Sequence, residues 1–123
     1  MVADTPKKKV LVVEDEKPLA HALELKLTHE GFAATVARNG QEALDLIRSQ
    51  PFDVVLLDMM MPIMDGFHVL ENLQDMQNKP VIFVLSNLST RDDEGKILAL
   101  GAKKYFIKSN TPLAQIVAEV KAA

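Results

Sequence analysis

The sequence predicts an α/β fold in which a five-stranded parallel sheet carries five helices on two faces. Three continuous apolar runs support this: Val10-Leu11-Val12-Val13, Val54-Val55-Leu56-Leu57 and Val81-Ile82-Phe83-Val84-Leu85. A strand with one wet face alternates apolar and polar residues, whereas an unbroken run fits a strand buried on both faces. Between these runs the apolar spacing changes to the period of helices. Strand and helix thus alternate five times, and right-handed crossovers turn that order into a parallel sheet covered on both sides.

Each element has its own signal. After the first run, Leu19, Leu23 and Leu27 fall four residues apart, with Pro18 suited to a first helical turn and Gly31 to the stop. Ala34, Val36 and Arg38 read as a half-exposed edge strand. Asn39 and Glu42 form a capping-box pattern ahead of Ala43, Leu44 and Ile47. Asp65-Gly66 precedes a helix bearing Val69, Leu70 and Leu73, and Ser89 or Thr90 caps one bearing Ile97, Leu98 and Leu100. Gly95 inside that fourth helix costs about 1 kcal/mol of propensity. Tyr105-Phe106-Ile107 is a short last strand, and Thr111-Pro112 opens a helix with Leu113, Ile116, Val117 and Val120 on one stripe.

The 123 residues suit one domain, read as a lead-in over 1–8 and a single folded unit over 9–123. Hydrophobic (48%) and charged (25%) contents are those of a globular protein, and a net charge of -3 gives no general attraction to nucleic acid. The one basic run, Lys7-Lys8-Lys9, reads as a solvated start to the first strand. Without cysteine there are no disulfides or thiolate metal sites. No apolar stretch approaches the ~20 residues of a membrane span, and no signal-peptide core is present. The expected location is the cytoplasm.

Chemistry gathers at the strand ends. The first run stops at Glu14-Asp15, the third strand at Asp58, the fourth at Ser86 and the fifth at Lys108. Open parallel sheets bind ligands beyond the carboxyl ends of their strands. Each residue alone has a plain reading: Glu14-Asp15-Glu16 favouring a helix start, Asp58 a loop acceptor, Ser86 a cap, Lys108 a surface lysine. Four together indicate one site. Carboxylates ~4 Å apart repel by about 4 kcal/mol at an effective dielectric of 20, so Glu14, Asp15 and Asp58 call for a cation. All-oxygen ligands suit Mg²⁺, which a phosphoryl oxygen often completes. With Lys108 and Ser86 beside it, Asp58 is placed as the nucleophile of a phosphoryl transfer that forms an aspartyl phosphate.

These residues carry a resemblance over essentially the whole chain. Glu14-Asp15, the segment Asp58-Met59-Met60-Met61-Pro62-Ile63-Met64-Asp65-Gly66, Ser86, and Gly101-Ala102 leading to Tyr105 and Lys108 resemble the receiver domain of two-component response regulators. The resemblance implies a flavodoxin-like fold with strand order 2-1-3-4-5. It implies Mg²⁺ held by Asp15, Asp58 and the Met60 carbonyl, with Glu14 acting through water. It also implies a phosphohistidine donor on a sensor histidine kinase or histidine phosphotransfer protein, for which acetyl phosphate can often substitute. Ser86 would then move toward the phosphoryl group and Tyr105 inward behind it. The face of the fourth helix, fifth strand and fifth helix would carry the signal to a downstream protein. Such a chain is no general enzyme: it catalyses its own phosphorylation and slow dephosphorylation. A monomer or a weak phosphorylation-dependent dimer is expected, without direct nucleic-acid or membrane binding.

Several positions depart from the family pattern. Ser109-Asn110 follows Lys108 where the family usually has proline across a cis bond. A non-proline cis bond costs roughly 2.5–4 kcal/mol, so a trans Lys108-Ser109 bond and a rearranged loop are expected. Asn87 stands where a small residue is common, and is expected to narrow the pocket or add a hydrogen bond. Met60 and Leu88, two residues beyond Asp58 and Ser86, are apolar and cannot orient water, which predicts slow dephosphorylation. Lys103-Lys104 and Asp92-Asp93-Glu94 differ from the charge pattern of the family's DNA-binding dimers. The competing readings are a phosphorylation-independent scaffold, a haloacid-dehalogenase-type phosphatase and a flavin-binding module. The phosphatase lacks its second aspartate, since position 60 is Met60.

Overall fold

A computed structural model describes residues 7–61, 63–87 and 91–123, the side chains of 91–93 excepted. The elements run β1 (Lys9–Val13), α1 (Lys17–His29), β2 (Ala33–Ala37), α2 (Gly40–Ser49), β3 (Val54–Asp58), α3 (Gly66–Asn72), β4 (Val81–Ser86), α4 (Arg91–Ala99), β5 (Lys104–Ile107) and α5 (Leu113–Ala122). All four strand pairings are parallel, in the order β2-β1-β3-β4-β5. The expected fold class and strand order are both present.

The apolar runs occupy the middle of the sheet because each strand must feed two cores. Leu11, Val13, Val55, Leu57 and Val84 join Leu44, Ile47, Val69 and Ile97 on one face. Val10, Val12, Val54, Leu56, Phe83 and Phe106 join Leu23, Leu27, Ile116 and Val117 on the other. Phe83 and Phe106 meet edge to face, with centroids 5.9 Å apart. β2, with no neighbour on its outer side, keeps four of its five residues only partly covered.

The helix punctuation follows the local chemistry. The Asn39 side chain accepts from the Glu42 N–H, and the Asp65 side chain from the His68 N–H, so both caps satisfy orphan helix donors. Gly31, at φ 95°, ends α1 with Phe32 N–H on the Leu27 carbonyl and Gly31 N–H on that of Thr28. Gly101, at φ 109°, repeats the arrangement after α4 through Ile97 and Leu98. The proposed caps Ser89 and Thr90 lie outside the described residues. Of the expected α4 stripe, Ile97 is buried, Leu98 is exposed and Leu100 falls just past the helix.

The Lys108–Ser109 bond is trans, as no described peptide bond is cis. Lys108–Asn110 form a single 3-10 turn between β5 and α5. The Thr111 hydroxyl ties that turn back to the Ile107 carbonyl at 2.9 Å.

Candidate functional site

Parallel pairing brings the strand ends to one edge. β1 and β3 are adjacent, so Glu14 and Asp15 follow β1 beside Asp58, the last residue of β3. β4 lies on the other side of β3, with Asp58 opposite Leu85, and the last β4–β5 pair is Ser86 with Ile107. Lys108 therefore leaves β5 at the same edge.

The side chains converge accordingly. Glu14, Asp15 and Asp58 each place a carboxylate oxygen within 4.8 Å of the other two. Glu14 is 1% exposed and Asp58 3% exposed, while Asp15 lies at the opening. The Lys108 ammonium sits 2.7 Å from Glu14 Oε1 and 3.2 Å from Asp58 Oδ2. Met60 N–H donates to Asp58 Oδ1 at 3.1 Å, and Glu16 N–H to Glu14 Oε2 at 3.2 Å. Local backbone thus orients both buried carboxylates.

Electrostatics follow from this crowding. Burial pushes the Glu14 carboxyl up to about 7; the Lys108 hydrogen bond opposes the rise and the Asp58 charge adds to it. Burial also works to lower the Lys108 ammonium, but the hydrogen bond to Glu14 and the charges of Asp58 and Glu14 outweigh it and raise its pKa. One lysine against three carboxylates leaves net negative charge in the pocket. Asp15 Oδ1 is moreover buried with no hydrogen-bond partner. A buried acceptor without a donor, facing two more carboxylates, fits a hard oxygen-seeking cation such as Mg²⁺.

Ser86 is fully buried and has a polar partner. Tyr105 packs half-buried against the core that contains Val84 and Ile97, with its hydroxyl shielded from water. Ser86 and Ile107 are register partners, as are Val84 and Tyr105, so the hydroxyl and the phenol ring stand on neighbouring rungs of the same sheet face. Met60 contributes its N–H, and its side chain is 61% exposed. Leu88 lies outside the described residues.

Of two further contacts, one had no separate signal in the sequence and the other was expected from it. Glu16, read as a helix-start residue, lies 3.6 Å from Lys108. Asn87, expected to narrow the pocket or add a hydrogen bond, does the second: its Oδ1 accepts from Ser109 N–H at 3.2 Å.

Residues 10–121 match the response regulator receiver domain family. The chain belongs to that family. Among curated receiver proteins, ArlR of Staphylococcus aureus is 36% identical over 101 residues, which are 80% of this chain and 45% of that protein. The chain therefore spans less than half the length of such relatives. The receiver domain of the Francisella response regulator 1452 superposes with a TM-score of 0.88 at 31% identity, covering 94% of this chain and 95% of that one. The response regulator TrrA of Thermotoga maritima, solved in complex with Mg²⁺-BeF, gives a TM-score of 0.81 at 30% identity, covering 94% and 97%. As a response regulator receiver, this chain is a component of two-component signalling. No described helix is long and apolar enough to cross a membrane.

Proposed function

We propose that this receiver takes a phosphoryl group on Asp58 from a phosphohistidine of a sensor histidine kinase or histidine phosphotransfer protein. The observation that carries this is the buried Asp58 carboxylate, 3.2 Å from Lys108 and grouped with Glu14 and Asp15. An Asp58 oxygen forms the new P–O bond as the donor's P–N bond breaks, and the bonding electrons leave on the imidazole. Lys108 supplies positive charge beside the transferring oxygens, and the Met60 N–H holds the other carboxylate oxygen, Asp58 Oδ1. Asp15, Asp58 and the Met60 carbonyl would hold Mg²⁺, with Glu14 acting through water. When bound, the ion offsets charge on the phosphoryl oxygens.

The new group adds a charge of about -1.5 to -2. Ser86 would turn toward a phosphoryl oxygen and Tyr105 would repack behind it, a reading supported by their standing on one face of β4 and β5, with β4 paired to β3. That change would be read on the face of α4, β5 and α5 by a downstream protein, with no turnover beyond the domain's own phosphorylation and slow dephosphorylation. The cytoplasm is the compartment that such a kinase partner requires.

Incubation with Mg²⁺ and acetyl phosphate, followed by mass spectrometry under cold, prompt handling, tests the reading. One added phosphoryl group is expected, and none in Asp58→Asn. An adduct that persists in Asp58→Asn removes the residue from its role. No adduct from acetyl phosphate or from any kinase would leave a phosphorylation-independent scaffold.

A further inference from the structure

The carboxyl ends of β4 and β5 separate where the sheet stops. Ser86 and Ile107 form the last register pair, and the residues after them have no ladder to hold them together. Asn87 bridges that gap: its Oδ1 accepts from Ser109 N–H at 3.2 Å, across 22 residues of sequence. Ser109 follows Lys108 directly and carries a backbone N–H, which a proline at this position would lack. In this chain the residue that offers a donor and the residue that accepts it sit at two neighbouring departures from the family pattern.

We propose that Asn87 is a positioning residue for phosphoryl transfer, tying the carboxyl end of β4 to the turn that carries Lys108 and so fixing the ammonium over Asp58 and Glu14. This rests on the phosphoacceptor reading of Asp58. A lysine side chain has four flexible carbons, so its head is only as well placed as the backbone beneath it. On one side Lys108 is held by Ile107 in β5; on the other, by Ser109 through Asn87, while Thr111 Oγ1 closes the turn on the Ile107 carbonyl. Asn87 also follows Ser86, so the same bond joins the hydroxyl-bearing and ammonium-bearing segments. Being exposed, it competes with water, and its loss should slow the reaction rather than abolish it.

The test is a cycle of Asn87→Ala and Lys108→Ala, each followed by phosphoryl uptake from acetyl phosphate with Mg²⁺, alongside hydrogen exchange at the Ser109 amide. Asn87→Ala should lower the maximal rate roughly three- to ten-fold with little change in the donor concentration for half-saturation. It should speed Ser109 exchange, leave the melting midpoint within a few degrees, and cause no further loss once Lys108 is alanine. An equal loss in both backgrounds, an unchanged rate or unchanged Ser109 exchange would overturn the proposal. A wild-type chain that takes no phosphoryl group removes Asp58's role and this inference together. A wild type that labels, with an Asn87→Ala variant that keeps pace, removes this inference alone.

Discussion

At the residue scale, the site is a balance between three carboxylates and one lysine, and Glu14 is where it tips. Its carboxyl titrates at an ordinary 4.5 when unfolded and about 7 when folded, because burial disfavours its charge. The folded chain therefore binds more protons across that window. Glu14's contribution is full below about pH 4.5 and is lost as pH rises toward 7. The loss is on the order of 3 kcal/mol at most. Urea denaturation in metal-free buffer should show stability falling between pH 5 and 7.5, with a flatter profile in Glu14→Gln. An equal slope in both proteins would assign the effect elsewhere. Asp65 does not mask this: burial pushes it up, but the His68 backbone and ring outweigh that and lower it, so it acts only at more acidic pH. A second residue-scale expectation concerns lifetime. With methionine two residues past Asp58, no side chain there orients an attacking water. Met60→Asn or Leu88→Glu should therefore shorten the phosphoryl lifetime several-fold, well short of the roughly 10²–10⁴-fold of full general-base catalysis, since such a side chain only orients the water. Decay of labelled protein after donor removal measures it, and an unchanged lifetime in both variants refutes the idea.

At the element scale, α3 must approach the Asp58–Met59 backbone closely, and Gly66 is what permits it. A Cβ there would collide with Met59 Sδ and lie 2.8 Å from Met59 Cα and 2.9 Å from the Asp58 carbonyl oxygen. Sulfur can rotate away; backbone cannot. Gly66→Ala should cost roughly 1–3 kcal/mol and slow phosphoryl uptake by shifting Asp58. Gly95 is the internal control, since a Cβ there meets nothing within 4 Å and the residue lies inside α4. Gly95→Ala should stabilise by up to about 1 kcal/mol. Chemical denaturation of the two variants decides the matter, and equal effects would contradict the packing argument. Much of this scale was legible beforehand. The cap at Asn39 and the stop at Gly31 are local patterns, and local chemistry set them. The loop after β3 was less so: Ile63 adopts φ 71°, a left-handed conformation that a β-branched side chain resists, and nothing in its neighbours signals that. Such a conformation costs about 1–3 kcal/mol.

At the scale of the whole molecule, alternating periodicities made the parallel sheet readable, because strands buried on both faces need continuous apolar runs. Strand order was not readable from periodicity; it came with the resemblance. The candidate site was legible as a set of strand ends. Its pairings were not, because Lys108 meets Glu14 across 94 positions of sequence and Ser109 meets Asn87 across 22. Such contacts depend on which strands become neighbours.

The same architecture predicts where a signal can travel. β1 and β3 form the buried middle of the sheet, with Val10–Val13 and Val54–Leu57 all at most 1% exposed. α4 is held differently: among its described side chains Ile97 is buried, Leu98 is 41% exposed, and Lys96 rests on Phe67 at 4.8 Å. An element with few buried anchors opens at lower cost than the central strands. Amide hydrogen exchange should therefore be slowest in β1 and β3 and faster in α4. On phosphorylation, changes should concentrate in α4, β5 and the start of α5, while β1 and β2 stay within error. The same pattern of change in Asp58→Asn treated with acetyl phosphate, or a response confined to α1 and α2, would defeat this route from pocket to surface. Attenuation in Asn87→Ala would add that the β4–β5 tie carries part of the motion.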